Sequence, residues 1–206
     1  MAEQNMKRLI YQFILQTFIQ TGTPPSTPTI AAEFKIPEPA EIDGYLAALE
    51  AEGGIYRDPA TGVILTAYPF SATPTSHRVF FGKDRQCYAM CAIDALGIPF
   101  MLDTDATINS TCPQCGKIVM VNIAGGQINA TSDELVVVYT APRKKCCAAT
   151  EQCPYINFYC SPAHAQVWLG KHPHLELETL PLSEALERGK AVFGNLFNEE
   201  EPASKV

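Results

Sequence analysis

A chain of 206 residues, of which 47% are hydrophobic and 18% charged, has enough apolar side chains for a substantial core and is not intrinsically disordered. The net charge of −7 disfavours phosphate-bearing partners, and no apolar run is long enough to span a membrane or to form a signal peptide. We therefore expect a cytoplasmic protein of one or two domains. Its eight cysteines would then be reduced and serve metal binding or catalysis.

The first third of the sequence predicts three helices followed by a β-hairpin. Apolar residues recur at helical spacing in the helices, and short β-rich runs flank a turn in the hairpin. The predicted helices cover residues 5–21, 27–34 and 39–52, and the predicted strands cover residues 55–57 and 63–68. This order is typical of a winged helix-turn-helix. We predict a winged-helix-like domain over residues 1–75, ending in a linker at Pro69–Thr75.

The third predicted helix would be the one that contacts DNA, but its charge has the wrong sign. The helix and its flanks carry no basic residue and several acidic ones: Glu38, Glu41, Asp43, Glu50 and Glu52. Such a surface would repel phosphates. We interpret the domain as a structural or dimerising module and expect no nucleic-acid partner.

A second domain is predicted over residues 76–206. Its most distinctive stretch is residues 84–96, which lack proline and glycine and predict a helix that stops at Gly97. Helical spacing would place Cys87, Cys91 and Asp94 on one face. A thiolate beside an acid suits a reaction on a soft metal or soft electrophile. The alternative is that Cys91 is a small core residue and Asp94 a solvated one.

Cys112 and Cys115 form a C-x-x-C knuckle, in which Gly116 permits the tight turn that lets two thiolates bind one ion. A structural zinc ion needs four ligands, and Cys146 and Cys147 are candidates for the other two. The alternative is a turn with unused thiols. Three histidines are interpreted as capping or surface residues: His164, His172 and His174.

Three segments together resemble the alkylmercury lyases, also called organomercurial lyases. They are Tyr88–Leu96 with its Cys-Ala-x-Asp motif, Cys153 before an aromatic run, and Trp168–His172. The resemblance covers residues 5–198. It implies an α+β protein, in which a winged-helix-like helical domain precedes a catalytic core of antiparallel strands and helices.

The resemblance also implies roles for individual residues. Cys91 and Cys153 correspond to the two mercury-binding thiolates, and Asp94 corresponds to the proton carrier. Cys153 lies fifteen residues before Trp168, as in the family, but a gap in the match would place Cys147 there instead. The Cys115 knuckle is a departure, because the best-known members lack it.

The implied activity is protonolysis of carbon–mercury bonds in mercury resistance and detoxification. Two thiolates that donate into mercury weaken its bond to carbon, and an acid then protonates that carbon. No redox or organic cofactor is required. The expected partners are an organomercurial substrate and a small thiol or mercury-accepting protein. The organic group would lie against apolar residues: Tyr88, Ile98, Phe100 and Met101. The alternative function is a non-catalytic, thiol-rich metal-binding or metal-sensing protein on the same scaffold.

Overall fold

The computed structural model describes residues 2–131, 134–141 and 147–197 of the protein. Its helices are α1 (Ala2–Thr21), α2 (Thr27–Phe34), α3 (Pro39–Ala51), α4 (Ala92–Met101), α5 (Ala148–Glu151), α6 (Pro162–Gly170) and α7 (Leu182–Phe193). Its strands are β1 (Ile55–Arg57), β2 (Ile64–Ala67), β3 (Phe70–Ser71), β4 (His77–Phe81), β5 (Arg85–Ala89), β6 (Ala106–Thr111), β7 (Ile118–Ala124), β8 (Gln127–Thr131), β9 (Val136–Tyr139), β10 (Asn157–Tyr159) and β11 (Glu178–Pro181). Among these helices, none combines the length and apolarity needed to cross a bilayer.

The three predicted N-terminal helices and the hairpin are present. α1 buries the apolar stripe of Ile10, Ile14 and Phe18, which follows the period seen in the sequence. α2 is capped by Ser26, whose hydroxyl accepts a hydrogen bond from the Thr29 N–H. The hairpin strands β1 and β2 pair antiparallel.

Eight antiparallel strands form the main sheet, in the order β1-β2-β3-β5-β4-β6-β7-β8. The N-terminal hairpin is therefore one end of this sheet. The segment predicted as a linker contributes β3, in which Phe70 is fully buried, stacks on Phe18 and pairs with Ala89. The prediction of a linker over Pro69–Thr75 was wrong for Phe70 and Ser71, because backbone pairing and the burial of Phe70 hold these residues in the core.

The predicted helix over residues 84–96 was also wrong in its extent. Its first half is β5, which pairs with β3 on one side and β4 on the other. Hydrogen bonding on both edges overrides the helix propensity of its residues. The helix itself starts at Ala92 and continues through Gly97 and Pro99 to Met101. Cys87 therefore lies on a strand, and Cys91 stands at the cap of the helix that carries Asp94.

Gly97 is a close-packing residue rather than a helix stop. It lies where α4 crosses α7, and a Cβ there would clash with Phe193 and come within 2.8 Å of the Gly189 carbonyl oxygen. We expect Gly97→Ala to lower the free energy of unfolding by about 1–3 kcal/mol, the usual cost of overpacking. Gly44→Ala in α3 is the matched control, because its Cβ would meet nothing within 4 Å. Chemical denaturation of both variants and the wild type measures the free energies of unfolding. A Gly97→Ala variant as stable as the wild type would contradict this packing role.

A smaller antiparallel sheet, β10-β9-β11, carries the remaining part of the core. The Ala92 N–H donates to the Ile156 carbonyl over 3.0 Å, which joins the first turn of α4 to the segment just before β10. This contact brings the short 3-10 helix Cys153–Tyr155 beside the start of α4. The mixed fold with antiparallel sheets agrees with the architecture predicted for the core.

His77 packs between the two sheets. Its Nδ1 is 2.9 Å from the Ser110 hydroxyl, and its ring contacts Phe158 edge-on. Burial lowers the pKa of His77 to about 4, and a hydrogen bond with Asn157 offsets this only in part. The native protein therefore holds a neutral imidazole at pH values where the unfolded chain binds a proton.

This difference predicts acid sensitivity. The free energy of unfolding should be highest above the unfolded pKa of about 6.5 and fall towards pH 4, by about 3 kcal/mol from His77 alone. Denaturation curves at several pH values would measure it. His77→Gln should remove most of this slope. A variant with an unchanged slope would show that other groups cause the acid sensitivity.

Candidate active site

Cys91 and Asp94 meet at the junction between β5 and α4. Cys91 is the N-cap residue of α4, and its Sγ accepts a hydrogen bond from the Asp94 N–H over 3.5 Å. The backbone N–H groups of the first turn and the dipole of the helix favour a negative charge at this position. The fold therefore places Cys91 where a thiolate is stabilised when it forms.

Cys153 reaches the same point from the other side. Its thiol donates to Asp94 Oδ2 over 3.8 Å. The Sγ atoms of Cys91 and Cys153 and a carboxylate oxygen of Asp94 all lie within 4.8 Å of one another. The three residues are only 2%, 6% and 4% exposed, respectively. The structure thus brings together the three residues that the sequence assigned to the reaction.

The site holds Cys91 as a thiol at rest. Burial, a hydrogen bond with Cys153 and the charge of Asp94 raise the pKa of Cys91 well above its usual value. A soft cation that binds the sulfur must therefore displace a proton. Asp94 is the nearest described group that can accept it, since its carboxylate is within reach of both sulfurs.

Two tyrosines that the sequence analysis missed also border the site. Tyr68 is buried, and burial and then the charges of Cys153 and Asp94 raise its pKa. Tyr11 of α1 donates its hydroxyl proton to the Tyr68 carbonyl oxygen over 3.1 Å. Burial and the charge of Asp94 raise the pKa of Tyr11 as well. No motif marks either residue, because both reach the site only through the packing of the N-terminal segment.

Cys147 is the alternative second thiolate. It is half-buried at the N-cap of α5 and is not part of the close group of Cys91, Asp94 and Cys153. Cys146 lies outside the described residues. Among the described thiols, Cys153 therefore has the better position for sharing a ligand with Cys91.

The apolar residues proposed for the organic group do not all lie at the site. Cys91 caps the first turn of α4, whereas Phe100 lies in its last turn, about 13 Å further along the axis. There the Phe100 ring lies beneath Lys190. A contact between Phe100 and the organic group therefore stays a prediction.

A second close group contains four metal-ligating side chains. Cys112 and Cys115 lie with Cys160 and His164, and their ligating atoms are within 4.8 Å of one another. The knuckle was predicted, but Cys147 is not in this group. Burial opposes ionisation of Cys112, but backbone N–H donors, Cys160 first, and the His164 ring outweigh it and lower its pKa to about 6.

Known proteins resemble this chain over most of its length. Residues 70–194 match the family model described as MerB, alkylmercury lyase. An alkylmercury lyase from Staphylococcus epidermidis is 28% identical over 191 residues, which cover 92% of this chain and 84% of that protein. One from Bacillus cereus is 30% identical over 132 residues, which cover 64% of this chain and 59% of that protein.

The fold agrees with these similarities. A solved structure, the mercury-bound form of MerB2, superposes with a TM-score of 0.76 at 22% identity and covers 94% of this chain and 98% of its own. The family model accounts for more than half of the sequence, including the strand and helix that carry Cys91 and Asp94 and the segment that carries Cys153. The chain belongs to the alkylmercury lyases, the enzymes that cleave carbon–mercury bonds.

Proposed function

We propose that Cys91 and Cys153 bind the mercury of an organomercurial cation and that Asp94 transfers the proton that releases the organic group. One observation carries this assignment: two thiols and one carboxylate, all buried, lie within 4.8 Å of one another. A soft ion with a preference for two thiolates fits between the sulfurs. A purely structural role would not explain a buried carboxylate between two thiols, because such a charge is costly to bury.

Binding begins when one thiol loses its proton to Asp94 and its sulfur bonds to mercury. The second thiol then adds to the same mercury. Two sulfur donors increase the electron density on mercury and so weaken its bond to carbon. The helix N-terminus beside Cys91 stabilises the thiolate while the bond forms.

Cleavage follows when Asp94 returns a proton to the carbon. The electron pair of the carbon–mercury bond becomes the new carbon–hydrogen bond. For R–Hg⁺ and two thiols, the products are R–H, mercury(II) held by two thiolates, and one released proton. Atoms, charge and electrons balance without an oxidant or an organic cofactor. A small thiol or a mercury-accepting protein would then remove the ion by thiolate exchange.

We also infer that residues 1–75 form a winged-helix-like unit with a structural role, followed by the catalytic part over residues 76–206. The acidic side chains of α3 and of its C-cap residue, Glu52, support that role. Asp43 and Glu50 form ion pairs with Arg57, and Glu52 pairs with the buried Lys7. These groups bind each other within the unit, and together with Tyr11 they support packing against the catalytic part rather than DNA binding.

Turnover with methylmercury tests the proposed function. Purified protein incubated with methylmercury and excess small thiol should release methane, measured by gas chromatography. In D₂O the product should be CH₃D, because the transferred proton comes from groups that exchange with solvent. Tight methylmercury binding without methane would instead support the alternative of a metal-binding or metal-sensing protein.

A further inference from the structure

We propose that Cys112, Cys115, Cys160 and His164 bind one zinc ion, as a structural site that shares no residue with the group of Cys91, Asp94 and Cys153. The four side chains come from two parts of the chain. Cys112 and Cys115 lie in the turn between β6 and β7, and Cys160 and His164 lie at the junction of β10 and α6. This inference rests on geometry and ligand chemistry, and it stands independently of the proposed reaction.

The distances fit tetrahedral coordination. Zinc–sulfur bonds of about 2.3 Å at tetrahedral angles place two sulfurs about 3.8 Å apart, and a sulfur and a nitrogen slightly closer. The Cys115 and Cys160 sulfurs are 3.6 Å apart. The His164 Nδ1 lies 3.8 Å from the Cys112 Sγ and 3.1 Å from the Cys160 Sγ. Both contacts involve the same ring nitrogen, which is therefore the coordinating atom.

The surrounding backbone is arranged to hold these ligands. Gly116 adopts a positive φ of 74°, and its N–H donates to the Cys112 carbonyl over 2.9 Å, which closes the knuckle. The Cys112 N–H donates to the Lys117 carbonyl over 2.9 Å, which closes the other side of the same turn. On the other side, the Ser161 hydroxyl accepts from the His164 N–H and fixes the first turn of α6. Hydrogen bonds of this kind orient the ligands of a metal site.

The ligand set selects zinc among the common cellular divalent ions. Three thiolates and one imidazole are a usual set for a closed, tetrahedral structural zinc site, whereas magnesium and calcium require oxygen ligands. Four protein ligands leave no open position for a substrate. The ion would cross-link the main sheet to the small sheet. It would thereby hold the C-terminal end of β10 in place. Cys153 lies in the segment just before the N-terminal end of that strand.

The main competing explanation is a disulfide between Cys115 and Cys160. A disulfide would consume two of the three thiols and leave Cys112 and His164 without a common ligand. Thiol counting in denaturant distinguishes the two states, since a zinc site keeps all cysteines titratable once the metal is chelated. A thiol count two below the number of cysteines, which rises to the full number after reductant is added, would overturn the zinc proposal.

Metal analysis of the purified full-length protein, prepared without chelators or mercury, is the direct test. We expect one zinc ion per chain. Cobalt(II) exchanged into the site should give the intense visible absorption of tetrahedral thiolate coordination. Removal of zinc by a strong chelator should lower the melting temperature by several degrees, and added zinc should restore it. Wild-type protein that binds no zinc and melts unchanged with chelator would overturn the proposal.

Variants test the ligand set. Cys115→Ser is the sharpest, because Cys115 is exposed and its replacement disturbs packing least. It should reduce bound zinc to a small fraction and weaken the cobalt absorption. Cys147→Ser and His172→Gln are the matched controls, since neither residue belongs to the group, and both should retain full zinc. Zinc that is lost in Cys147→Ser and kept in Cys115→Ser would overturn this assignment in favour of another ligand set.

Discussion

Cys91→Ser and Cys153→Ser are each expected to reduce methane release from methylmercury below detection. A serine hydroxyl is a hard and weakly acidic ligand, so it cannot replace a thiolate on mercury. The fold should survive the change at Cys91, because serine is a preferred N-cap residue and can accept the same Asp94 N–H. Circular dichroism and thermal melting would verify that both variants are folded before their turnover is compared.

Cys147→Ser is the control for the second thiolate. Cys147 lies outside the close group that contains Asp94, so this variant should keep turnover near the wild-type rate. If Cys153→Ser remains active while Cys147→Ser does not, the second mercury ligand is Cys147. That result would also require the segment around α5 to move towards Cys91 during the reaction.

Asp94→Asn is expected to lower the rate of carbon–mercury cleavage by about 10²- to 10⁴-fold, the usual contribution of a positioned general acid. Asparagine keeps the shape of the side chain, and its backbone N–H still donates to Cys91. It cannot accept a thiol proton or return one to carbon. Single-turnover release of methane from pre-bound methylmercury measures this step separately from binding.

Binding of mercury(II) itself should survive in Asp94→Asn, because both thiolates remain. Titration of the ultraviolet thiolate-to-mercury absorption would show one ion bound per chain, as in the wild type. Loss of cleavage with retained binding identifies Asp94 as the proton carrier. Cleavage at the wild-type rate would mean that another group supplies the proton, and Asp94 would then have no catalytic role.

The N-terminal segment packs into the same sheet as the strand that precedes Cys91. Its hairpin extends the main sheet, and Tyr11 of α1 supports the backbone of Tyr68 beside the catalytic group. These contacts support the proposal that this segment has a structural role.

Local sequence determined the features that depend on near neighbours. The apolar period of α1 predicts its buried stripe, because helix geometry alone brings residues four apart onto one face. The Cys-Ala-x-Asp motif likewise sets Cys91 three residues before Asp94, a spacing that an N-cap sulfur and a first-turn residue require. The sequence also showed that α3 is acidic, which indicates that this helix does not bind DNA. The resemblance to the family supplied Cys153, which local spacing alone could not connect to Asp94.

Tertiary structure decided which distant residues meet. β5 has the composition of a helix but pairs on both edges, so its conformation depends on β3 and β4 rather than on its own residues. The partners of the Cys112 knuckle depend on the contact between two sheets, which places Cys160 and His164 beside it, whereas Cys147 lies outside this group. Tyr68 joins the site for the same reason. The spacing of apolar residues predicts which side chains of a segment are buried. The order of the strands in the sheet determines which other residues those side chains contact.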